Sequence, residues 1–360
     1  MKRLLLVGDY PPPHGGVSVQ IAALQARLAA LPDARVGVLD IGTRRRERRP
    51  GCLPARGARD FASALLAHAA GGFTLHLHTN GHNRKSWLVS AACAAAGLAN
   101  HRRTVISLGS GLMPEYVSGL RGPMRTLVRA TVAITGAFIV RNERSAAVLR
   151  ALGATPDTIT VLPGFYGVLP EEIGPAPEAM TAFARSHRPL VGAVASLGPE
   201  YGLDLLIDAA ARLRPRHPGL GVVLIGPDPV EQGLPSWALP LGELARPSML
   251  AAVQALDVFV RPTYFDGDAS SVREALALGV RVVASDTDFR PDGVRLFPRG
   301  DADALAAVIH RALAAPAVRQ ESTAFPALLR LYDALEHGRG GREPATVPTP
   351  TLARGGRRVA

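Results

Sequence analysis

The sequence is poor in cysteine, lysine and aromatic residues, and each shortage excludes something. Two cysteines, Cys52 and Cys93, are too few for a disulfide scaffold or a cysteine-rich zinc module. Reduced thiols fit a cytosolic setting. Lys2 and Lys85 are the only lysines, so the positive charge is carried by arginine. Aromatic residues make up 5% of the chain, which speaks against the basic stripe with interleaved aromatics that nucleic-acid binding requires. The longest apolar run away from the N-terminus, Trp87 to Ala99, falls short of the roughly 18–20 residues that span a bilayer. Lys2-Arg3 precede an apolar stretch, but Asp9 and Pro11-Pro12-Pro13 end it too early for a signal peptide. The expected location is the cytoplasm.

At 360 residues the chain has room for two domains. Its 47% apolar and 20% charged residues describe an ordinary globular protein. The formal charge is +11, a balance that suggests nucleic acid or an anionic membrane. Most of it is local. Arg44, Arg45, Arg46, Arg48 and Arg49 stand against Glu47, and Arg339, Arg342, Arg354, Arg357 and Arg358 against Glu343. Arg121, Arg125 and Arg129 recur at helical spacing among Met124, Leu127, Val128 and Val132. Such a face is either solvated or docks on anionic lipid. The second reading predicts peripheral contact with the inner face of the cytoplasmic membrane.

Short β-like runs alternate with helix-length apolar-periodic segments. The first half predicts strands at Leu4–Gly8, Arg35–Ile41, Thr74–His78, Thr104–Leu108, Ala137–Val140 and Ile159–Leu162. After a stretch rich in Pro and Glu the alternation restarts, with strands at Val191–Ala195, Val222–Ile225, Val258–Val260 and Val282–Ser285. Helices are expected at about Val17–Leu31, Leu203–Leu213, Ser248–Ala255, Ser271–Leu278, Ala302–Ala314 and Ala324–Glu336. This is the α/β pattern of parallel sheets covered on both faces. The expected organisation is an N-terminal domain over 1–168, closed by the helix 324–336. A linker over 169–188, a second domain over 189–323 and a disordered basic tail over 338–360 complete it.

Ligands bind beyond the carboxyl ends of parallel strands, so the residues following each strand are the candidates. After the first strand come His14-Gly15-Gly16-Val17. The two glycines let backbone amides approach a phosphate at a helix start, or simply make a tight turn. After Val258–Val260 comes a hydroxyl-rich run holding two acids, Asp266 and Glu274. Ser270 or Ser271 would cap the helix that follows, placing Glu274 in its first turn to accept hydrogen bonds from a ribose. Arg141 and Arg290 each follow a strand and are candidates to hold an anion there. His76 and His78 share one strand face. With His82 they suggest zinc, but lack a clear third and fourth ligand. The alternative is that His78 faces a cleft, with His14 nearby, and orients an acceptor or a phosphate.

Three segments carry a family resemblance. They are Pro12-Pro13-His14-Gly15-Gly16-Val17-Ser18-Val19, Tyr201-Gly202-Leu203-Asp204-Leu205-Leu206-Ile207-Asp208-Ala209, and the run from Asp266 through Glu274 to Ser285. The chain resembles a family 4 glycosyltransferase over nearly its whole length to about Glu336. The resemblance implies two facing Rossmann-like, doubly wound domains (the GT-B fold) with a C-terminal crossover helix. It implies retention of anomeric configuration, no metal in the site and no cofactor, the nucleotide-diphosphate sugar being the donor substrate. Glu274 would bind the ribose. Asp266 would sit near the donor sugar, with Gly267, Asp268 and Ala269 amides on its hydroxyls and Ser270 and Ser271 beside them. Gly15 and Gly16 would approach the diphosphate or the transferred sugar, Leu241-Gly242-Glu243 the base, and Arg141 and Arg290 are candidates to stabilise the departing diphosphate. The chain departs from the family at Asp266, where glutamate is usual. It departs again at Ser196 and Tyr201, where Arg and Lys are common, and at Gly109, where histidine is common. The expected function is transfer of a sugar to a saccharide acceptor, lipid-linked, in surface polysaccharide biosynthesis. A nucleotide-sugar epimerase of the same fold and a non-catalytic nucleotide-sugar-binding subunit are the alternatives.

Overall fold

A computed structural model describes residues 1–11, 16–42, 51–194, 198–226, 233–266, 268–287 and 289–337. The chain divides into two compact units. The first is Met1–Tyr166 with the segment that begins at Thr323; the second is Gly167–Ser322.

Four fully buried residues, Leu4 to Val7, form the centre of β1 (Lys2–Gly8) in the first unit. A strand apolar on both faces has to be covered on both. With it run β2 (Ala34–Asp40), β3 (Cys52–Pro54), β4 (Thr74–Thr79), β5 (Thr104–Leu108), β6 (Ala137–Val140) and β7 (Ile159–Val161). All pair in parallel, in the order β3-β2-β1-β4-β5-β6-β7. The connecting helices are α1 (Gly16–Ala29), α2 (Ala58–Ala70), α3 (Arg84–Gly97), α4 (Met113–Ser118), α5 (Gly122–Ile134) and α6 (Glu143–Ala151). On α5, Val128, Thr131 and Val132 are buried while Arg125 and Arg129 are exposed.

The second unit repeats the plan. Its strands are β8 (Leu190–Val194), β9 (Gly221–Ile225), β10 (Ala238–Gly242), β11 (Val258–Arg261), β12 (Arg281–Ser285) and β13 (Val294–Phe297). They too are all parallel, in the order β10-β9-β8-β11-β12-β13. The helices are α7 (Glu178–Phe183), α8 (Leu203–Leu213), α9 (Arg246–Gln254), α10 (Ser270–Ala277) and α11 (Ala302–Ala314). Leu205, Leu206, Ala209, Ala210 and Leu213 make the buried stripe of α8, the spacing of a helix that covers a sheet. The chain then returns to the first unit in α12 (Ala324–Glu336), which is tied down by Tyr332, Asp333 and the Glu336 carbonyl.

Both units are Rossmann-like, and each has one place where strand order reverses: between β1 and β4, and between β8 and β11. That crevice is the ligand position of doubly wound sheets. The structure differs from the sequence expectation in three strands, β3, β10 and β13. Each is an outermost strand, half exposed and interrupted by Pro54, Pro240 or Arg295, so none carries the continuous apolar run of a central strand. The stretch 169–188 is not a bare linker. Its α7 buries Met180 against Leu190 and Leu256 in the second unit's core. The arginine-rich stretch 44–49 and the tail 338–360 lie outside the described residues.

Candidate functional site

The second unit gathers charge at its strand reversal. Arg261 is the last residue of β11, and its Nη1 donates to the Val194 carbonyl, the last residue of β8, at 2.9 Å. Its Nε donates to Asp266 Oδ2 at 3.0 Å. Arg290 reaches the same oxygen with Nη1 at 2.7 Å. Its Nη2 donates to Thr263 Oγ1 and Ser285 Oγ, and its Nε to the Ser285 carbonyl. Thr263 Oγ1 is also 3.2 Å from Asp266 Oδ2. Burial works to raise the Asp266 pKa, but the two guanidinium groups outweigh it and hold the carboxyl below its ordinary value. The loop after β8 is fixed against the loop after β11. Gly202 has φ +64, and a Cβ there would lie 2.3 Å from the Pro262 carbonyl oxygen, so only glycine fits. The Tyr264 amide donates to the Glu200 carbonyl at 2.8 Å. Tyr201 is thereby set with its ring 5.4 Å from the Arg261 guanidinium carbon, a cation–π contact.

Glu274 lies deeper, 5% exposed. Arg246, at the start of α9, donates Nη1 to Glu274 Oε1, and its Nε stands 3.8 Å from Glu172. Glu172 in turn accepts from the Leu169 amide at 2.7 Å. Burial raises the Glu274 pKa above its ordinary value, with Arg246 opposing and Glu172 adding to the rise. Two expectations are corrected here. Ala269, not a serine, is the N-cap of α10, and no side chain caps it; Ser270 is its first residue. Glu274 is therefore the fifth residue of α10 and outside its first turn, because the helix begins earlier than a serine cap would place it. Its carboxylate answers to Arg246 and not to the helix dipole.

Asp268 pairs with Arg273, leaving Oδ2 buried and without a hydrogen bond. Leu241 and Gly242 close β10 at the sheet edge, and the Gly242 carbonyl accepts from the Gly226 amide at 3.0 Å. Gly16 opens α1. His14, Gly15, Ser196 and Gly267 lie outside the described residues.

In the first unit, His78 faces no open cleft. It is 3% exposed and both its ring nitrogens are buried without a hydrogen bond. Burial, with Arg141 adding to it, lowers its pKa to about 3. It lies against His76, with ring centroids 4.1 Å apart and the ring planes tilted by 32°. His76 is bonded at Nδ1 to Tyr332 Oη, 2.6 Å, and at Nε2 to Ser107 Oγ, 2.8 Å. Gly8 packs against the His78 backbone and Ile21: a Cβ there would lie 2.9 Å from the His78 carbonyl oxygen and 2.5 Å from Ile21 Cδ1. Arg141 follows β6 as expected and donates to Gln20 Oε1 at 2.7 Å and to the Leu162 carbonyl at 3.2 Å. The zinc alternative gains no support: among the described residues no three His, Cys, Asp or Glu form a group that could hold a metal.

Sequence reasoning missed Arg246, Glu172 and Arg261. Arg261 ends its strand as Arg141 and Arg290 follow theirs, so the same positional rule would have found it. Nothing in the sequence announces that Arg246 meets Glu274.

Comparison with known proteins follows this geometry. The family described as Glycosyl transferases group 1 matches residues 188–315. A GDP-mannose-dependent alpha-mannosyltransferase of Mycolicibacterium smegmatis is 37% identical over 103 residues, 28% of this chain and 26% of that protein. The match thus spans about a quarter of the relative. The crystal structure of Anabaena HepE in complex with UDP superposes with a TM-score of 0.59 at 17% identity, covering 87% of this chain and 90% of that one. A UDP-N-acetylglucosamine 2-epimerase gives a TM-score of 0.55 at 12% identity, covering 96% and 100%. The chain has the two Rossmann-like domains of the GT-B fold, and its second domain matches the glycosyl transferases group 1 family.

Proposed function

We propose that the protein is a retaining glycosyltransferase. It moves a hexosyl group from a nucleotide-diphosphate sugar to a hydroxyl of a saccharide acceptor. One observation carries this reading: Asp266 and its two arginines sit where strand order reverses in the second unit, and the buried Glu274–Arg246 pair lies on α10 and α9, all inside the stretch the glycosyltransferase family matches. Glu274 supplies a carboxylate for vicinal ribose hydroxyls, exchanging Arg246 for them. Asp266 and its arginines stand at the donor's other end. Catalysis is then positioning together with stabilisation of the departing diphosphate. The acceptor fits a lipid-linked saccharide of surface polysaccharide synthesis, presented at the inner face of the cytoplasmic membrane. The exposed Arg125 and Arg129 on α5, with Arg121 beside them, favour contact with anionic headgroups.

A second reading, a nucleotide-sugar-binding subunit without activity, is favoured by the pairing of both acids with arginine side chains. The test is incubation with a panel of nucleotide sugars, with and without membrane extract, followed by mass analysis of nucleotide and lipid fractions. A sugar added to an acceptor, with free nucleoside diphosphate released, supports the transferase. An isomerised nucleotide sugar appearing without acceptor refutes it in favour of an epimerase. Binding with no turnover of any donor leaves the subunit.

A further inference from the structure

We infer that the Arg261 guanidinium forms the cradle for the donor's diphosphate, and that Asp266, itself held by Arg290, aims it without touching the sugar. The inference rests on the donor reading above and assigns that site one anion-binding residue, Arg261, and two positioning residues, Asp266 and Arg290. Asp266 Oδ2 takes three donors, from Arg261, Arg290 and Thr263, at 3.0, 2.7 and 3.2 Å. One carboxylate oxygen thus draws together two guanidinium groups that would otherwise repel. Its side chain is 9% exposed and that of Arg290 4%. Two cations against one anion in so dry a place leave an uncompensated positive charge, and low dielectric makes that charge costly until an anion arrives.

The unused donors lie on Arg261. Its Nε and Nη1 are engaged, while Nη2 makes no hydrogen bond among the described residues. The guanidinium cannot swing freely, because Val194, Asp266 and the Tyr201 ring hold it on three sides. It spans the ends of β8 and β11, the two strands between which the order reverses. A guanidinium held in place at that crevice with Nη2 unused suits a charge-assisted hydrogen bond to an oxygen of a diphosphate. In the transfer, the bond between sugar C1 and the diphosphate oxygen breaks and its electron pair stays on that oxygen. The acceptor hydroxyl oxygen bonds C1, and its proton passes to the departing diphosphate. Arg261 would stabilise the charge that develops there, with Arg290 and Asp266 holding it in place.

The test uses the full chain and measures binding of inorganic pyrophosphate, of UDP, GDP, ADP, CDP and dTDP, and of the parent nucleosides. Arg261→Met should weaken pyrophosphate and the bound diphosphate about 10- to 100-fold and leave nucleoside affinity unchanged. It should also flatten the salt dependence of pyrophosphate binding. Glu274→Gln should weaken nucleoside and diphosphate alike and spare pyrophosphate. Asp266→Asn removes a negative charge, so a bystander aspartate would let anions bind more tightly. A positioning role predicts weaker binding instead, with recovery in Asp266→Glu. Should Arg261→Met fail to fold, the neutral, hydrogen-bonding Arg261→Gln provides the same comparison. Pyrophosphate and diphosphate affinities that ignore Arg261 overturn the cradle and leave the nucleotide reading standing. Pyrophosphate bound through Arg261 with no nucleotide bound overturns the nucleotide reading and keeps the cradle. No binding of either overturns both.

Discussion

Replacing Arg246 by Ala isolates the electrostatics of the buried acid. Glu274 is 5% exposed and its cation is Arg246, whose side chain is 30% exposed. Removing one partner of a buried pair costs about 3–5 kcal/mol, and the partial exposure of Arg246 reduces this to about 2–3 kcal/mol. For a unit of this size the melting temperature should fall by about 4–12 °C. The loss should depend on pH. Burial already raises the folded-state pKa of Glu274 above its ordinary 4.5, and Arg246 opposes that rise. Without Arg246 the folded-state pKa climbs further. Between pH 4.5 and the raised value the folded state binds more protons than the unfolded one, so stability falls as pH rises through that window. The deficit of Arg246→Ala should therefore be small near pH 4.5 and complete at neutral pH. Urea or thermal unfolding of both proteins from about pH 4.5 to 8 measures it. The double variant with Glu274→Gln should recover part of the loss, since it removes the orphaned charge. A deficit constant across that range, or smaller than about 0.5 kcal/mol throughout, would refute the pairing.

Three further outcomes follow from the first unit. His78 is buried as a neutral ring with pKa about 3 against an ordinary 6.5, so unfolding takes up a proton in that window and stability falls as pH drops through it. His78→Leu should release one proton less on refolding near pH 5, seen by calorimetry in two buffers, and lose little stability at neutral pH; a loss above about 2 kcal/mol there would contradict a ring without hydrogen bonds. Tyr332→Phe strands His76 Nδ1, bonded at 2.6 Å, and should cost about 1–3 kcal/mol in chemical unfolding; an unchanged midpoint would deny that this bond fastens α12. The combined change of Arg121, Arg125 and Arg129 to Ala should weaken binding to anionic vesicles roughly 100-fold at low salt, at about 1 kcal/mol per arginine. Flotation that ignores all three would remove α5 from the membrane contact.

What the sequence discloses depends on where a residue's partners lie. Central strands announce themselves because both faces are buried: β5 and β6 carry uninterrupted apolar or small buried residues, and their limits coincide with those expected. Edge strands such as β10 hide, since half exposure and Pro240 erase the run. The helix α8 is legible from its stripe, whereas the start of α10 is misread because a serine invites the cap that Ala269 takes. The same division governs the site. Asp266 and Glu274 are found by their spacing along the chain. The cations that decide their charge come from elsewhere: Arg246 is 28 positions before Glu274 and Arg290 is 24 after Asp266. A carboxylate's spacing therefore locates a site, but its chemistry is set by what the sheet carries to it. Here Arg261 and Arg290 come from strand ends to Asp266, while Arg246 comes from the start of α9 to Glu274 and Glu172, so the charge balance belongs to the assembled elements and to no single motif.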